Sequence, residues 1–406
     1  MKRGISAIRG GLGVFGVLAA MAAVLGAGGA SALPAYTILD LGTLGGNSSS
    51  ASHINNLGQV VGSSTASDGS GHAFRTAPNQ PINPATDDVI ASSFPVIAIN
   101  DVGQLFVGSL FTAYRTQPNA PLNPATDNLQ IRSGNSTATI SNPGINNLGQ
   151  VTGWFYDGGG DMTDNAFFID INRTFNRATD FLFPLFGGED EHAAAINNRD
   201  QIVGGADTLP APNNGRKAYR ADPNGAGGFA YTDLGSLGGG NQGLISDAFD
   251  INDLGQAVGE ALAPGGSRHA FRTGPNLAIN PATDDLGTLP GSSFAASSAS
   301  AINNAGVVVG NANVTSTVTH AFVFDGQMLD LNNLLVNGAG WTLTTAADVN
   351  NLGQIVGTGT INGQTHAFVL TPVTTAAVPV PGAVWLGGAG LAGVFALRRR
   401  VARVLR

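Results

Sequence analysis

One nine-residue core recurs seven times along this chain, and that recurrence limits the fold more than any other property. The core reads Ile-Asn-x-x-Gly-Gln-x-x-Gly and starts at Ile54, Ile99, Ile145, Ile196, Ile251, Ile302 and Val349, at spacings of 45, 46, 51, 55, 51 and 47 residues. The fullest copies run from Ile54 to Gly62 and from Val349 to Gly357. Departures are local: Asp200 replaces the first Gly in the fourth copy, Val307 replaces Gln in the sixth, and the second carries one extra residue before Gly108. Length alone suggests two or three ordinary domains for 406 residues. A repeat of this kind implies instead one array whose units bury their faces only against each other.

Each core is followed by Ala and an aromatic residue: Ala73-Phe74, Ala113-Tyr114, Ala166-Phe167, Ala218-Tyr219, Ala270-Phe271, Ala321-Phe322 and Ala367-Phe368. Four pairs are preceded by His72, His269, His320 or His366, giving His-Ala-Phe. A third landmark, Asp-Leu-Gly-Thr-Leu-Gly-Gly, is clear at Asp40 to Gly46 and nearly so at Asp233 to Gly239 and Asp285 to Gly291.

The local physics follows from these residues. Asn-Asn-Leu-Gly tolerates positive φ and sits between short apolar runs, so it reads as a hairpin loop joining a strand that ends at Ile-Asn to one that starts at Gln-Val-Val-Gly. The Ala-aromatic segment is a third strand, its small Ala permitting close approach and its ring anchoring the core. The run into Asp-Leu-Gly is a fourth. Four short strands per period of about 50 residues describe a propeller blade rather than a turn of β-helix. The seventh unit lacks an Asp-Leu-Gly strand, whereas the chain opens with an unpartnered one, Tyr36 to Leu41. The expectation is therefore an all-β, seven-bladed β-propeller over residues 33–371, closed by its N-terminal strand, with an open β-rich array as the structural rival.

Composition fits a folded body. Gly is 58 of 406 residues and charged residues are only 11%, while 43% hydrophobic residues suffice for a core. The basic residues concentrate at the ends: Lys2, Arg3 and Arg9 in the first 32 residues, and Arg398, Arg399, Arg400, Arg403 and Arg406 in the last 29. The body keeps 11 of the 19 basic residues against all 27 acids, a net of −16, which repels phosphate backbones and excludes nucleic acid as a partner. There is no cysteine, hence no disulfide, thiolate metal site or cysteine nucleophile.

Residues 1–32 read as a secretory signal: a basic start, an apolar run from about Gly11 to Leu25, and Ala30-Ser31-Ala32 for cleavage. At the other end, a linker over 372–381 contains Val378-Pro379-Val380-Pro381. An apolar stretch, 382–397, follows with Trp385, and then a basic tail, 398–406, with Arg398, Arg399 and Arg400. Physically this is a stop-transfer tail whose arginines stay cytoplasmic.

This tail resembles the PEP-CTERM sorting signal of Gram-negative bacteria in its Val-Pro-x-Pro variant, continuing Ala383-Val384-Trp385-Leu386, with Val380 standing where the usual motif has Glu. The resemblance implies recognition by an exosortase, transient membrane anchoring through the C-terminus, and delivery to the cell surface or extracellular matrix. Residues 36–371 likewise resemble the bacterial extracellular HAF-repeat proteins through His-Ala-Phe, Asp-Leu-Gly-Thr-Leu-Gly-Gly and Ile-Asn-Asn-x-Gly-Gln-Val-Val-Gly. That resemblance implies an extracellular repeat protein with no established activity for the repeat.

Catalytic and cofactor motifs are wanting. The four histidines invite a metal ring, but Thr112, Asn165 and Lys217 fill the same slot elsewhere, so hydrogen bonding is the expected role. Asp157 to Asp164 and Gly187 to His192 offer oxygen ligands for Ca²⁺, yet neither matches a defined calcium loop, and solvated loop acids are expected. Gly235 to Gly240 lacks the ending of a phosphate loop. Asp87-Asp88 and Asp284-Asp285 are adjacent, so on a strand they point to opposite faces and make a poor acid/base pair. The connection Arg75 to Asp87 recurs at Arg115 to Asp127 and Arg272 to Asp284, with turn composition. No cofactor is expected. The expected function is a non-enzymatic binding or structural module, with exopolysaccharide as ligand class; the rival is an extracellular propeller glycan hydrolase or lyase.

Overall fold

The computed structural model describes residues 34–373 except 92–95, 110–111, 132–139, 157–163, 177, 183–189, 209–214 and 240–244. The signal segment 1–32, the apolar stretch 382–397 and the tail motif from Val378 through Arg400 lie outside the described residues. Among those described, no helix is long and apolar enough to cross a membrane.

The described chain is all-β, in small antiparallel sheets. The first set comprises Gly45–Ile54, Val60–Ala66, Gly71–Arg75 and Asp88–Ala91; the fourth comprises Glu191–Ile196, Ile202–Asp207, Arg216–Pro223 and Phe229–Gly235. The sixth has Ser297–Ile302, Val308–Asn313, Thr319–Phe324 and Met328–Asp330. The second (Val96–Ile99, Leu105–Ser109, Thr112–Arg115), third (Ile140–Ile145, Val151–Tyr156, Asp164–Ile169) and fifth (Ser246–Ile251, Ala257–Leu262, Arg268–Arg272) have three strands. In these the expected fourth strand is a single bridge, Tyr114 with Asn128, Phe167 with Phe181 and Phe271 with Asp285. The chain there reaches the third strand straight out of a tight turn and leaves it after one pair.

The seventh set, Trp341–Val349, Ile355–Ile361 and Gln364–Pro372, takes its fourth strand from the other end of the chain. Tyr36–Gly42 pairs antiparallel with it, Tyr36 opposite Pro372 and Asp40 opposite Phe368. A lone parallel pair, Ser48 with Thr365, joins this set to the first.

The repeated core builds each hairpin through its first Asn. The Asn55 side-chain oxygen accepts from the amides of Leu57 (3.1 Å) and Gln59 (2.9 Å), a side-chain turn that leaves Gly58 at φ +80°. Asp200, in the glycine slot of the fourth copy, holds the same left-handed conformation at φ +61°.

The same Asn also links the sets. Asn55 Nδ2 donates to the Asn100 carbonyl, Asn100 to Asn146, Asn146 to Asn197, Asn197 to Asn252, Asn252 to Asn303, Asn303 to Asn350, and Asn350 back to Asn55, all at 2.8–3.2 Å. The next residue makes a second circle. The amide of Asn56 donates to Asp101 Oδ1, and so on through Asn147, Asn198, Asp253, Asn304 and Asn351, which returns to Asn56 at 2.8–2.9 Å throughout.

The core lies between neighbouring sheets. All seven landmark alanines are fully buried, and the aromatic beside each is at most 9% exposed. Phe74, Ala51, Ile54 and Val60 of the first set pack with Val356, Ala367 and Val369 of the last, so the contact that completes the circle is as apolar as the internal ones.

Inner strands carry a further regularity that the motif alone does not reveal. In the first strand of six sets an extra residue interrupts the pairing, a β-bulge at Ser52, Ala194, Phe249, Ser300 and Ala347 and, in the third set, between Ser141 and Gly144. The bulge brings an inner-strand carbonyl against the last glycine of the core, so a methyl on Gly62, Gly259, Gly310 or Gly357 would land on the oxygen of Ser50, Asp247, Ser298 or Thr345. In the second set the extra residue before Gly108 restores one-to-one pairing, Ile99 with Leu105 through Val96 with Gly108, and no bulge forms. What reads in sequence as a defect in one strand thus compensates for the missing bulge in its partner.

Candidate functional site

The His-Ala-Phe histidines do not face a shared site. Each bonds the Asp of the fourth strand, or of the bridge that stands in its place, in its own set: His72 to Asp88 (2.7 Å), His269 to Asp285 (3.0 Å), His320 to Asp330 (2.7 Å) and His366 to Asp40 (2.9 Å). Lys217 does the same with Asp233 in the fourth set. His-Ala-Phe and Asp-Leu-Gly are therefore two halves of one clamp between third and fourth strands. The Asp also accepts from the glycine amide two residues on, Gly42, Gly235 or Gly287. The carbonyl of that glycine accepts from Ser49, Ser246 or Ser297 at 2.6 Å, and the same serine oxygen accepts from the amide of Ala367, Ala218 or Ala270.

The adjacent acid pairs separate because the first Asp of each belongs to a turn and the second to the strand or bridge that follows it. Asp88 and Asp285 go to histidines, while Asp87 and Asp284 are buried and hold a turn, accepting from the amides of Asn83 and Asn280 and the hydroxyls of Thr86 and Thr283. The same turn is built at Asn123 with Asp127 and at Asn176 with Asp180. The sequence comparison misses that fourth copy because Arg177 replaces its proline; Asn-x-Ala-Thr-Asp would have found it.

Of the acid-rich stretches, residues 157–163 and 187–189 lie outside the described residues. Glu191 and His192 begin an inner strand, with the His192 ring stacked on Trp154 at 4.1 Å. Burial, with Asp190 and Asp207 nearby, raises the Glu191 carboxyl to about 7. Among the described residues no cluster of three or more His, Cys, Asp or Glu side chains could hold a metal ion.

The feature that gathers residues from across the array is the axis. A cavity of about 520 Å³ is lined by Ser50, Ser52, His53, Ile97, Ala194, Phe249, Ser298, Ser300, Thr345 and Ala347 among others. Ser52, Ala194, Phe249, Ser300 and Ala347, the bulged residues of five sets, are in that lining. In five sets the bulged residue thus faces the axis, and Ile97 holds the equivalent place in the unbulged second set. Ser52 Oγ donates to the carbonyls of Val61 and Ile97, at 3.2 and 3.0 Å. Among the hydrogen bonds of the described residues, none engages the hydroxyls of Ser298, Ser300 or Thr345.

Deeper, the wall becomes ionisable at His53, Asp250 and Asp348, one position further along the inner strands. Each carboxylate pins two sets together. Asp348 accepts from its neighbour Val349 and from Ile54 of the first set (2.9 Å); Asp250 accepts from Ile251 and from Ile302 of the sixth (2.8 Å). Burial raises Asp250 to about 7, with the Asp348 charge adding to it, and burial raises Asp348 to about 6. Burial pushes the His53 ring down, opposed by its bond to the Ile97 carbonyl and by Asp250. Beyond them the Asn circles line a smaller cavity at the far end.

These shifts fix a pH dependence. A carboxyl whose pKa is raised by folding holds a proton that the unfolded chain has already released, so its contribution is largest at low pH and is lost as pH rises from about 4 through about 7. His53 acts oppositely, since below its ordinary value the unfolded ring takes up a proton more readily than the folded one. With Asp250, Asp348 and Glu191 on one side and His53 on the other, the melting temperature should be higher near about pH 5.5 than near about pH 8. Asp250→Asn should flatten that slope in differential scanning fluorimetry; an unaltered slope removes Asp250 as its source.

No family model matches the chain, and no curated protein matches it. Among solved structures it is similar to the BP39L lectin from Burkholderia pseudomallei, at 11% identity over 83% of this chain and 96% of that one, with a TM-score of 0.41. It is also similar to a putative gluconolactonase, at 11% identity over 83% and 92% of the two chains and a TM-score of 0.34. A Trypanosoma rangeli sialidase matches at 10% identity over 80% of this chain and 53% of its own, with a TM-score of 0.36.

Proposed function

We propose that this chain is a seven-bladed β-propeller of the HAF-repeat type, exported and sorted through its C-terminal tail by an exosortase to the cell surface or matrix. There it serves as a non-enzymatic binding module for exopolysaccharide. The observation that carries the binding reading is the axial cavity. Its volume, about 520 Å³, is within the range of small-ligand pockets. Its wall combines hydroxyls that both donate and accept, on Ser298, Ser300 and Thr345, with the apolar ring of Phe249. A sugar residue has the matching surface: a rim of hydroxyls and an apolar ring face. The net charge of −16 over the body disfavours polyanions, so the ligand is a neutral glycan whose chain end enters the cavity.

Screening the protein on a glycan array and titrating the hits calorimetrically tests this. Neutral oligosaccharides should bind, and Phe249→Ala and Ser300→Val should each weaken binding by roughly tenfold, about 1.4 kcal/mol. Affinity unchanged in both variants would take the cavity out of the reading. Release of shortened product during the same incubation would make the protein a glycan hydrolase or lyase instead.

A further inference from the structure

The hairpin tips that carry the two Asn circles also carry apolar side chains pointed at solvent. Leu57, Val102, Leu148, Leu254 and Leu352 occupy the same position, two residues after the first Asn of the core, and are 40–64% exposed. Arg199 and Ala305 hold that position in the remaining two sets. Leu277, 61% exposed, belongs to the same end, since the amide of Asn276 beside it donates to the carbonyl of Gly255 at the fifth hairpin tip. An apolar side chain at the same exposed position of five hairpin tips, all at one end, is a repeated pattern rather than a scatter of single exposed residues.

The chain leaves the described body at this same end. The strand ending at Pro372 finishes beside the seventh tip, where a Cβ on Gly353 would lie 3.5 Å from the Pro372 ring. Val373, the next residue, donates to the Ala35 carbonyl at 2.7 Å. From Val373 only the eight residues 374–381 precede the apolar stretch 382–397. Eight residues reach about 28 Å at full extension, so whatever holds that stretch is held close to the leucines.

We propose that the leucine-tipped end of the ring rests on a lipid bilayer, the same bilayer that residues 382–397 enter. This rests on the membrane reading of the tail given above. The tip leucines sit among the headgroups, where apolar side chains gain by leaving water, and the hairpin backbone brings its polar groups already bonded. The acidic body favours zwitterionic over anionic lipid. The cavity mouth, at the opposite end of the axis from the Asn circles, then faces away from the membrane.

The absence of cysteine permits single labels. Full-length protein carrying Leu148→Cys, Leu352→Cys or Ser316→Cys, the last in the exposed hairpin between Val308–Asn313 and Thr319–Phe324 at the other end, is labelled with an environment-sensitive fluorophore and reconstituted into phosphatidylcholine vesicles. Headgroup-level nitroxide lipids should quench the 148 and 352 labels several-fold more than the 316 label, with a blue shift on adding vesicles. Flotation reports the tail separately. Protein that floats but shows equal quenching at all three positions overturns the crown proposal and leaves the tail reading standing. Protein that does not float overturns both. Tip labels already blue-shifted without lipid would show that a second copy covers the face, which also overturns it.

Discussion

Gly310→Ala should destabilise the protein by about 3 kcal/mol or more, an effect out of proportion to one methyl group. The added carbon would meet the Ser298 carbonyl oxygen, with Ala299 Cα and Phe322 Cε1 each 2.9 Å away. Two of these neighbours are backbone held by the bulge and the third is a core ring, so no flexible side chain can yield. Gly326 is the proper comparison. Its φ is +84° and nothing lies within 4 Å, so Ala there should cost only the left-handed conformation, about 1–2 kcal/mol. Chemical denaturation of both variants checks the ordering, and equal losses would refute the close-approach account of the repeated glycine.

Removing the N-terminal strand should have a comparable or larger effect. Deleting residues 34–42 takes away the pairing with Gln364–Pro372, the Asp40 partner of His366, and the buried side chains of Tyr36 and Leu41. Those two side chains alone account for on the order of 5 kcal/mol. Thermal unfolding should shift sharply downward and broaden, because the seventh set becomes an exposed edge. A synthetic peptide of residues 34–44 added in trans should restore part of the loss. An unchanged melting temperature in the truncated protein would mean that the strand is not what completes the circle.

The hairpins, the buried alanines and aromatics, and the origin of the last fourth strand are all legible from the sequence, because each depends on local chemistry or on simple accounting of strands. The His–Asp clamp is not. His366 and Asp40 are 326 residues apart, and only the strand register brings them together. The bulges are invisible for a different reason: an extra residue in one strand has no signature until its partner is known. The single clue, the extra residue before Gly108, reads as an irregularity of one copy rather than as the rule for the others. The axial cavity is hidden likewise, since the bulge decides that Phe249 and Ser300 belong to it. Asp250 and Asp348 could have been noticed as acids just before an otherwise apolar Ile or Val, though their raised pKa values come from burial.

The two circles of Asn and Asp also bear on how such a chain can change over generations. The Nδ2-to-carbonyl bonds of the first circle and the amide-to-Oδ1 bonds of the second all run from one unit to the next, so neither circle has a first or last member. A duplication that adds one unit cannot simply lengthen the series. It must open both circles, widen the radius and set all eight neighbour distances at once. The spacing between copies can therefore drift, from 45 to 55 residues, while their number stays locked.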